Sequence, residues 1–151
     1  MKKETLTVET DENGTTEYRN TEGELHNPSG AALVYANGHK EHYINDQLHN
    51  PNGPAMVCAN GHKRYYINGK LHNPNGSAVI YADGDKFYYI NGKLHNPDGA
   101  AVIRADGYKA YYINGKYLTE AEFKTWQAQQ AAPLHNKTAT IDGVEYTLTA
   151  K

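Results

Sequence analysis

The chain of 151 residues has few of the features that mark secreted, membrane-bound or polyanion-binding proteins. It contains a single cysteine, Cys58, which excludes an internal disulfide and fits a reducing cytosol. No apolar run follows the N-terminal Met-Lys-Lys-Glu-Thr, so we expect neither a secretory signal nor a membrane-spanning segment. The formal net charge is -2 and only three arginines are present, which gives no sign of a polyanionic partner. We therefore predict a cytoplasmic protein.

Tyrosine dominates the aromatic residues. Thirteen tyrosines stand against two phenylalanines and one tryptophan. A tyrosine suits a half-buried strand, because its ring packs against neighbours while its hydroxyl reaches water. The length is that of one domain, which we take to span residues 1–151.

A unit of 23 residues recurs four times without a gap over residues 25–116. Each copy opens with Leu-His-Asn-Pro and has a glycine two residues after the proline. The opening leucines are Leu25, Leu48, Leu71 and Leu94. A fixed period of this length predicts a repeat array, in which each unit packs against its neighbours.

Three turn signals punctuate each repeat. The Asn-Pro-X-Gly segment fits a type I turn, because proline fixes φ at the second position. Two further pairs, such as Asn60-Gly61 and Asn68-Gly69, have the composition that type I′ hairpins prefer. Short runs between these turns predict one β-hairpin per repeat, joined to the next as a meander. The predicted fold class is all-β, a single elongated antiparallel sheet of stacked β-hairpin repeats.

Alternation along the strands assigns their faces. In the first strand of each repeat one face is apolar in every copy, as in Ala32, Val34 and Ala36, and we predict that this face is buried. In the second strand a lysine and a tyrosine recur at fixed positions: Lys40, Lys63, Lys86 and Lys109, with Tyr43, Tyr66, Tyr89 and Tyr112. Equivalent positions lie two strands apart, or about 10 Å, so these side chains should form ladders along the array.

Residues 1–24 read as a degenerate first repeat. They hold three basic residues against seven acidic ones, and one residue too many separates Gly14 from Leu25. An altered turn or bulge must absorb that residue. A charged first repeat of this kind is what an array needs to protect its open edge.

Residues 117–151 also depart from the repeat. Thr119 and Glu122 match a capping box, which predicts a helix that continues to about Ala131. Residues 138–149 read as a hairpin around Asp142-Gly143. We interpret this helix and hairpin together as a C-terminal cap.

The repeat resembles a known family. The pattern Gly-X-Ala-X-X-Tyr-Ala-Asx-Gly-X-Lys-X-Tyr-Tyr-Ile-Asn-Gly-Lys-Leu-His-Asn-Pro is similar to the MORN-like repeats, and closest to the variant found in phage and large-DNA-virus accessory proteins. The likeness covers residues 25–126. It implies stacked hairpins with a binding or scaffolding role and no shared catalytic site. Some phage accessory proteins inhibit host defence systems, as anti-CRISPR proteins do. The chain lacks the Gly-X-Gly ending of the eukaryotic consensus, which argues against lipid binding.

Histidine is the most regular candidate for chemistry. One position holds His26, His49, His72 and His95. Metal ligands must lie about 3–4 Å apart, whereas these positions are about 10 Å apart. We expect each of these histidines to cap a turn beside Asn-Pro, with adventitious metal binding as the alternative. No acidic residue recurs beside them to orient an imidazole.

Cys58 occupies a position that holds tyrosine in two other copies, which favours a repeat variant over a nucleophile. We predict no metal, no cofactor and no enzymatic activity.

Recognition of one partner requires positions that vary along the array, whereas the invariant positions maintain the scaffold. The variable residues in columns that we expect to be exposed are Tyr35, Glu41, His42, Arg64, Tyr65, Phe87 and Arg104. We predict that they bind a macromolecular partner, and we favour a protein. The most concrete version is a phage-encoded inhibitor of a host defence system; self-association through the same face is a further option. The alternative is single-stranded nucleic acid along the tyrosine and lysine ladders, which the net charge disfavours.

Overall fold

The structure is a computed structural model, and it describes residues 5–131, 137–141 and 144–148. The chain divides into two compact units, Met1–Leu118 and Thr119–Lys151. The first unit holds all four repeats.

Consecutive hairpins build one antiparallel sheet of eleven strands in the first unit, and each strand pairs with the next sheet strand along the chain. The strands are β1 (Thr7–Thr10), β2 (Thr16–Arg19), β3 (Leu33–Val34), β4 (Lys40–Glu41), β7 (Met56–Val57), β8 (Lys63–Arg64), β11 (Val79–Ile80), β12 (Lys86–Phe87), β15 (Val102–Ile103), β16 (Lys109–Ile113) and β17 (Lys116–Leu118). Each repeat advances the sheet by two strands. The predicted all-β class and stacked-hairpin topology are therefore confirmed.

Each of the first three repeats also forms a second, smaller hairpin. These two-stranded ladders are β5 (Tyr43–Ile44) with β6 (Gln47–Leu48), β9 (Tyr66–Ile67) with β10 (Lys70–Leu71), and β13 (Tyr89–Ile90) with β14 (Lys93–Leu94). In the fourth repeat the corresponding residues continue β16 and β17. A repeat therefore contains two hairpins in succession, where the sequence predicted one.

The register of the main sheet aligns the repeats. Val34 lies opposite Lys40, and Lys40 lies opposite Val57 of the next repeat. The same alternation continues to Ile103 and Lys109. The predicted lysine ladder is confirmed, with an aliphatic residue between each lysine and the next.

The two hairpin turns of each repeat differ in geometry. Asn68 and Gly69 both have positive φ, 49° and 71°, as a type I′ turn requires. In the pair Asn60-Gly61 only the glycine has positive φ, and the Gly61 N–H donates to the Cys58 carbonyl at 2.9 Å. That geometry is a type I turn followed by a left-handed glycine. The type I′ prediction is therefore right for the second pair of each repeat and wrong for the first.

The extra residue of the degenerate first repeat lies in its second turn. The Gly23 N–H donates to the Asn20 carbonyl at 3.1 Å, and Gly23 has a φ of 82°. The later repeats span this position with a two-residue turn. The predicted change of turn is confirmed. It lies after β2, so the β1–β2 hairpin and the pairing of β2 with β3 keep the pattern of the later repeats.

The recurring histidines connect the opening of each repeat with the second hairpin turn of the same repeat. Nδ1 of His72 accepts a hydrogen bond from the Asn91 N–H at 3.2 Å and lies 3.0 Å from Asn91 Oδ1. His49 makes the equivalent contacts with Asn68. The expected turn capping is confirmed, but the expected place is wrong: the capped turn is not beside Asn-Pro but is the type I′ turn 19 residues further along the same repeat. Each histidine thereby holds an asparagine in the left-handed region, where non-glycine residues are strained.

The core of the first unit is built around alanine. Four alanines have no exposed surface, and none of the large side chains in the described residues is fully enclosed. These alanines are Ala32, Ala55, Ala78 and Ala101. Burial is therefore as predicted at Ala32. The prediction is wrong at Ala36, which is exposed, while Leu33 from the opposite face is only 7% exposed. The strand is just two residues long, so Ala36 already belongs to the turn and alternation no longer applies.

In the second unit, helix α1 spans Glu120–Ala131. Thr119 caps it as predicted: the Thr119 N–H donates to Glu122 Oε2 at 2.8 Å, and the Glu122 N–H donates to Thr119 Oγ1 at 3.3 Å. Strands β18 (Lys137–Ile141) and β19 (Val144–Leu148) form the expected terminal hairpin. Its predicted turn, Asp142-Gly143, lies outside the described residues. The role of this unit as a cap stays a prediction.

Candidate functional site

The two faces of the main sheet carry different chemistry. One face, which we call the variable face, changes residue type between repeats; its equivalent positions are Glu41, Arg64, Phe87 and Ala110, each followed two residues later by a tyrosine. The other, the cleft face, carries the lysine row, which we define as Lys40, Lys63, Lys86 and Lys109.

The seven predicted binding residues do not share a face. Tyr35, Glu41, Arg64, Phe87 and Arg104 belong to the variable face by alternation. His42 and Tyr65 lie on the cleft face, where they line two different clefts. The structure therefore places five of the seven on one face, spread over the four repeats, and the other two on the opposite face; Arg64 and Phe87 line one hollow.

Glu41 is not in an exposed column, contrary to the sequence prediction. Its exposed fraction is 8%. Oε1 lies 2.6 Å from His39 Nε2, and Oε2 accepts a hydrogen bond from the Tyr43 hydroxyl at 2.7 Å. Tyr35 packs edge-on against His39, with ring centroids 4.9 Å apart. The carboxylate is thus buried because local polar partners two residues away satisfy it.

Alkaline pH should destabilise the chain through Tyr43. Burial, and then the hydrogen bond to the Glu41 carboxylate, raise the pKa of Tyr43 above its ordinary value of 10.0. The folded state therefore retains this proton at a pH where the unfolded state has lost it, so stability falls as the pH rises above about 10. Urea denaturation followed at pH 9 and pH 11 should show a smaller drop in midpoint for Tyr43→Phe than for the wild type. An equal drop in both proteins would contradict this origin, since lysine titration is common to both.

An aromatic hollow lies on the variable face between the second and third repeats. Its lining comprises Arg64, Tyr66, Leu71, Val79, Tyr81, Phe87 and Tyr89. The Tyr81 ring is edge-on to Phe87 at 5.8 Å and to His62 at 4.8 Å between centroids. The volume of the hollow is about 160 Å³. That is below the ~300–1,000 Å³ typical of ligand and cofactor pockets, and suits a single side chain.

Arg64 is half-buried in the wall of this hollow. Burial works to lower the pKa of its guanidinium, but hydrogen bonding with Tyr81 and Tyr66 outweighs burial and raises it. The charge is therefore held among aromatic hydroxyls. In the fourth repeat, Arg104 is exposed and lies over the Tyr108 ring, 5.3 Å from its centroid. The variable face thus places two arginines beside aromatic rings.

The cleft face carries three clefts of similar construction, one at each junction between consecutive repeats. Each is lined by the Asn-Pro turns of two repeats, an isoleucine, a histidine of the turn-capping set, and the residue at position 42, 65 or 88. Their volumes are about 430, 450 and 760 Å³ from the first junction to the last. These sizes lie within the range of ligand pockets. No local pattern of residues predicts the clefts, because they form between turns 23 residues apart.

The part of the chain that the structure describes contains no cluster of side chains for metal or thiol chemistry. Within it, no group of three or more His, Cys, Asp or Glu side chains is arranged to hold a metal ion. Cys58 is a free, half-buried thiol whose backbone closes the hairpin turn through Gly61 and His62. Its position is that of a turn residue.

No protein-family model matches the chain, and no curated protein matches it. The likeness of the repeats to MORN-like arrays therefore stays a prediction. Among residues 5–131, 137–141 and 144–148, no helix is long and apolar enough to cross a membrane.

Proposed function

We propose that the chain is a non-enzymatic, cytoplasmic binding protein that engages a protein partner through the variable face. The observation that carries this proposal is the aromatic hollow, in which an arginine is held among tyrosine and phenylalanine rings. Arginine and tyrosine are enriched at the energetic centres of protein interfaces, where they sit in desolvated pockets. The hollow has the volume of one side chain, so the partner inserts one apolar or aromatic residue there.

Variation along the array supports the choice of face. The equivalent positions differ in residue type between repeats, and the two that are half-buried rather than buried are Arg64 and Phe87, a base and an aromatic ring; Glu41 and Ala110 are buried. The tyrosines are constant, whereas the residues beside them change from repeat to repeat. Such a surface recognises one particular partner better than a uniform surface does. In its most concrete form, which rests on the resemblance of the repeats alone, the chain is a phage-encoded inhibitor of a host defence system, such as an anti-CRISPR protein.

Neighbouring residues on opposite faces give a matched test. Arg64 lies on the variable face, and Lys63, the residue before it, lies on the cleft face. The immobilised full-length chain is first used to capture a stoichiometric protein from bacterial lysate. The dissociation constant of that purified partner is then measured for the wild type, Arg64→Ala and Lys63→Ala.

We expect Arg64→Ala to weaken binding at least tenfold, as truncation of an interface hot spot does, and Lys63→Ala to leave it within about twofold. Circular dichroism and urea midpoints establish that both variants fold. A partner that binds Arg64→Ala as tightly as the wild type would refute the proposed face. Capture of the chain's own copy, lost in Arg64→Ala, would identify self-association through this face.

A further inference from the structure

The three clefts on the opposite face repeat with the period of the array. The middle cleft is lined by Pro51 and Pro74 of successive turns, with Tyr65, Ile67 and His72 along its wall. The first and third clefts have the same plan, with His42 or Tyr88 in place of Tyr65. Successive clefts are two strands apart, which is about 9.4–9.8 Å. A ligand that uses all three must present the same group at this interval.

The first asparagine of each Asn-Pro turn is already hydrogen-bonded within its own turn. The Asn50 side chain donates from Nδ2 to the Pro54 carbonyl at 3.0 Å, and its Oδ1 accepts from the Asn52 N–H at 3.1 Å. Asn73 and Asn96 make the same pair of bonds in the next turns. Proline, isoleucine and aromatic side chains remain to contact a ligand, together with polar side chains such as Asn52 and Asn75 in the lining of the middle cleft. The clefts therefore combine surface for compact apolar groups with polar groups that can bond to a ligand backbone.

The lysine row runs beside the clefts with the same period. Each lysine lies two residues before a cleft residue, as Lys63 does before Tyr65, or about 6.6 Å along an extended chain. All four lysines are exposed, and within the described residues none of them forms an ion pair with a carboxylate. The one acidic side chain that lines these clefts is Asp98, in the third. A ligand on this face therefore meets a positive charge next to each apolar cleft.

We propose that the cleft face binds an acidic, proline-containing peptide segment in the polyproline II conformation. This helix has three residues per turn and rises about 3.1 Å per residue, so it repeats every ~9.3 Å. Over two steps the mismatch with the clefts stays at about 1 Å or less. A proline at every third position enters successive clefts, and an acidic residue in each turn faces the lysine row. Aromatic-lined grooves bind such helices in general, because the preformed helix loses little entropy on binding.

The inference is independent of the aromatic hollow, because it concerns the other face of the sheet. The probe is a fluorescein-labelled peptide of five Pro-Pro-Glu repeats, about 46 Å long in this conformation. Its matched control has ten prolines followed by five glutamates, which keeps composition and charge but removes the three-residue period. Fluorescence anisotropy with the full chain at about 0.15 M salt gives both affinities.

We expect the periodic peptide to bind at least tenfold more tightly than the block peptide. The exposed double variant Lys63→Glu/Lys86→Glu should weaken it at least tenfold, whereas Arg64→Ala on the variable face should leave it unchanged. Unaltered circular dichroism shows that the lysine variants fold. Arg64→Ala thus separates the two proposals, since it abolishes only binding to the variable face.

Three results would overturn the proposal. The first is equal affinity for the periodic and block peptides, which would reduce the interaction to charge. The second is an oligothymidylate that binds more tightly than the peptide, with an affinity that falls steeply with salt, which would assign the face to single-stranded nucleic acid. The third is a dimer, detected by sedimentation, that the lysine variants dissociate, because the occupant would then be a second copy carrying acidic residues 1–24.

Discussion

The variant Ala55→Leu is expected to lower the free energy of unfolding by about 1–3 kcal/mol, the usual range for added methylene groups in a packed core. Ala55 has no exposed surface, and its backbone is held on the neighbouring strand: its carbonyl accepts from the His42 N–H at 2.7 Å. A leucine there cannot be accommodated without separating two repeats. Because each repeat contacts only its neighbours, that interface carries much of the stability of the array. Urea denaturation monitored by circular dichroism measures the loss.

Ala59→Leu is the matched control. Ala59 lies four residues further along the same repeat, in the hairpin turn, and is exposed. The same substitution there should change stability by less than about 0.5 kcal/mol. Similar losses at Ala55 and Ala59 would show that the alanine column is not the packed centre of the unit.

The repeat and most of its turns could be predicted because their chemistry is local. Asn-Pro-X-Gly specifies a type I turn by its own side chains, and the bonds from Asn27 to Ser29 and Ala31 show how. The capping box at Thr119 is similarly local. A constant period then places every copy in the same register, so that one correctly interpreted repeat describes the whole array.

The buried and exposed faces of the strands were predicted less well than the turns, because the alternation of inward and outward side chains can be followed only in longer strands. Strands such as Leu33–Val34 are only two residues long, and the chain enters a turn directly after them. The alternation of side chains therefore ends before it can show which face is buried. The same limit explains the error in turn type. Asn60-Gly61 and Asn68-Gly69 look alike in sequence, but the first pair closes its hairpin with one more residue. That difference depends on the register of the flanking strands.

The candidate site was predicted in part, because variation between repeats does not report exposure. Arg64 and Phe87 do line the hollow, which is the centre of the proposed interface. Tyr65 varies less and faces the opposite side, as its place in a cleft shows. Glu41 is a variable position that is nevertheless buried, because its carboxylate bonds to His39 and Tyr43 of its own repeat. The clefts themselves arise from contacts across 23 residues and have no local sequence signal.

Glu41→Ala should lower the free energy of unfolding by about 1–2 kcal/mol, since the half-buried partners of a charged acceptor lose their hydrogen bonds. This position of the repeat accommodates alanine, because the equivalent residue of the fourth repeat is Ala110, which is 3% exposed. The loss therefore comes from the Tyr43 hydroxyl and His39 Nε2, which then have no carboxylate to bond. Glu22→Ala, at an exposed turn position, should be nearly neutral, and chemical denaturation at pH 7 compares the two.

A double-mutant cycle with Tyr43→Phe tests that origin directly. Removing the hydroxyl as well as the carboxylate leaves no unsatisfied donor at this contact, so the double variant should be more stable than the sum of the single losses predicts, by about 1 kcal/mol or more. The cycle also separates the hydrogen bond between Tyr43 and Glu41 from the cavity that Glu41→Ala creates. The volume left by the glutamate side chain is the same whether residue 43 is tyrosine or phenylalanine. Additive losses would mean that the bond from the Tyr43 hydroxyl contributes nothing and that Glu41 stabilises its repeat through His39 and through packing. A second cycle with His39→Ala then measures the bond to the imidazole.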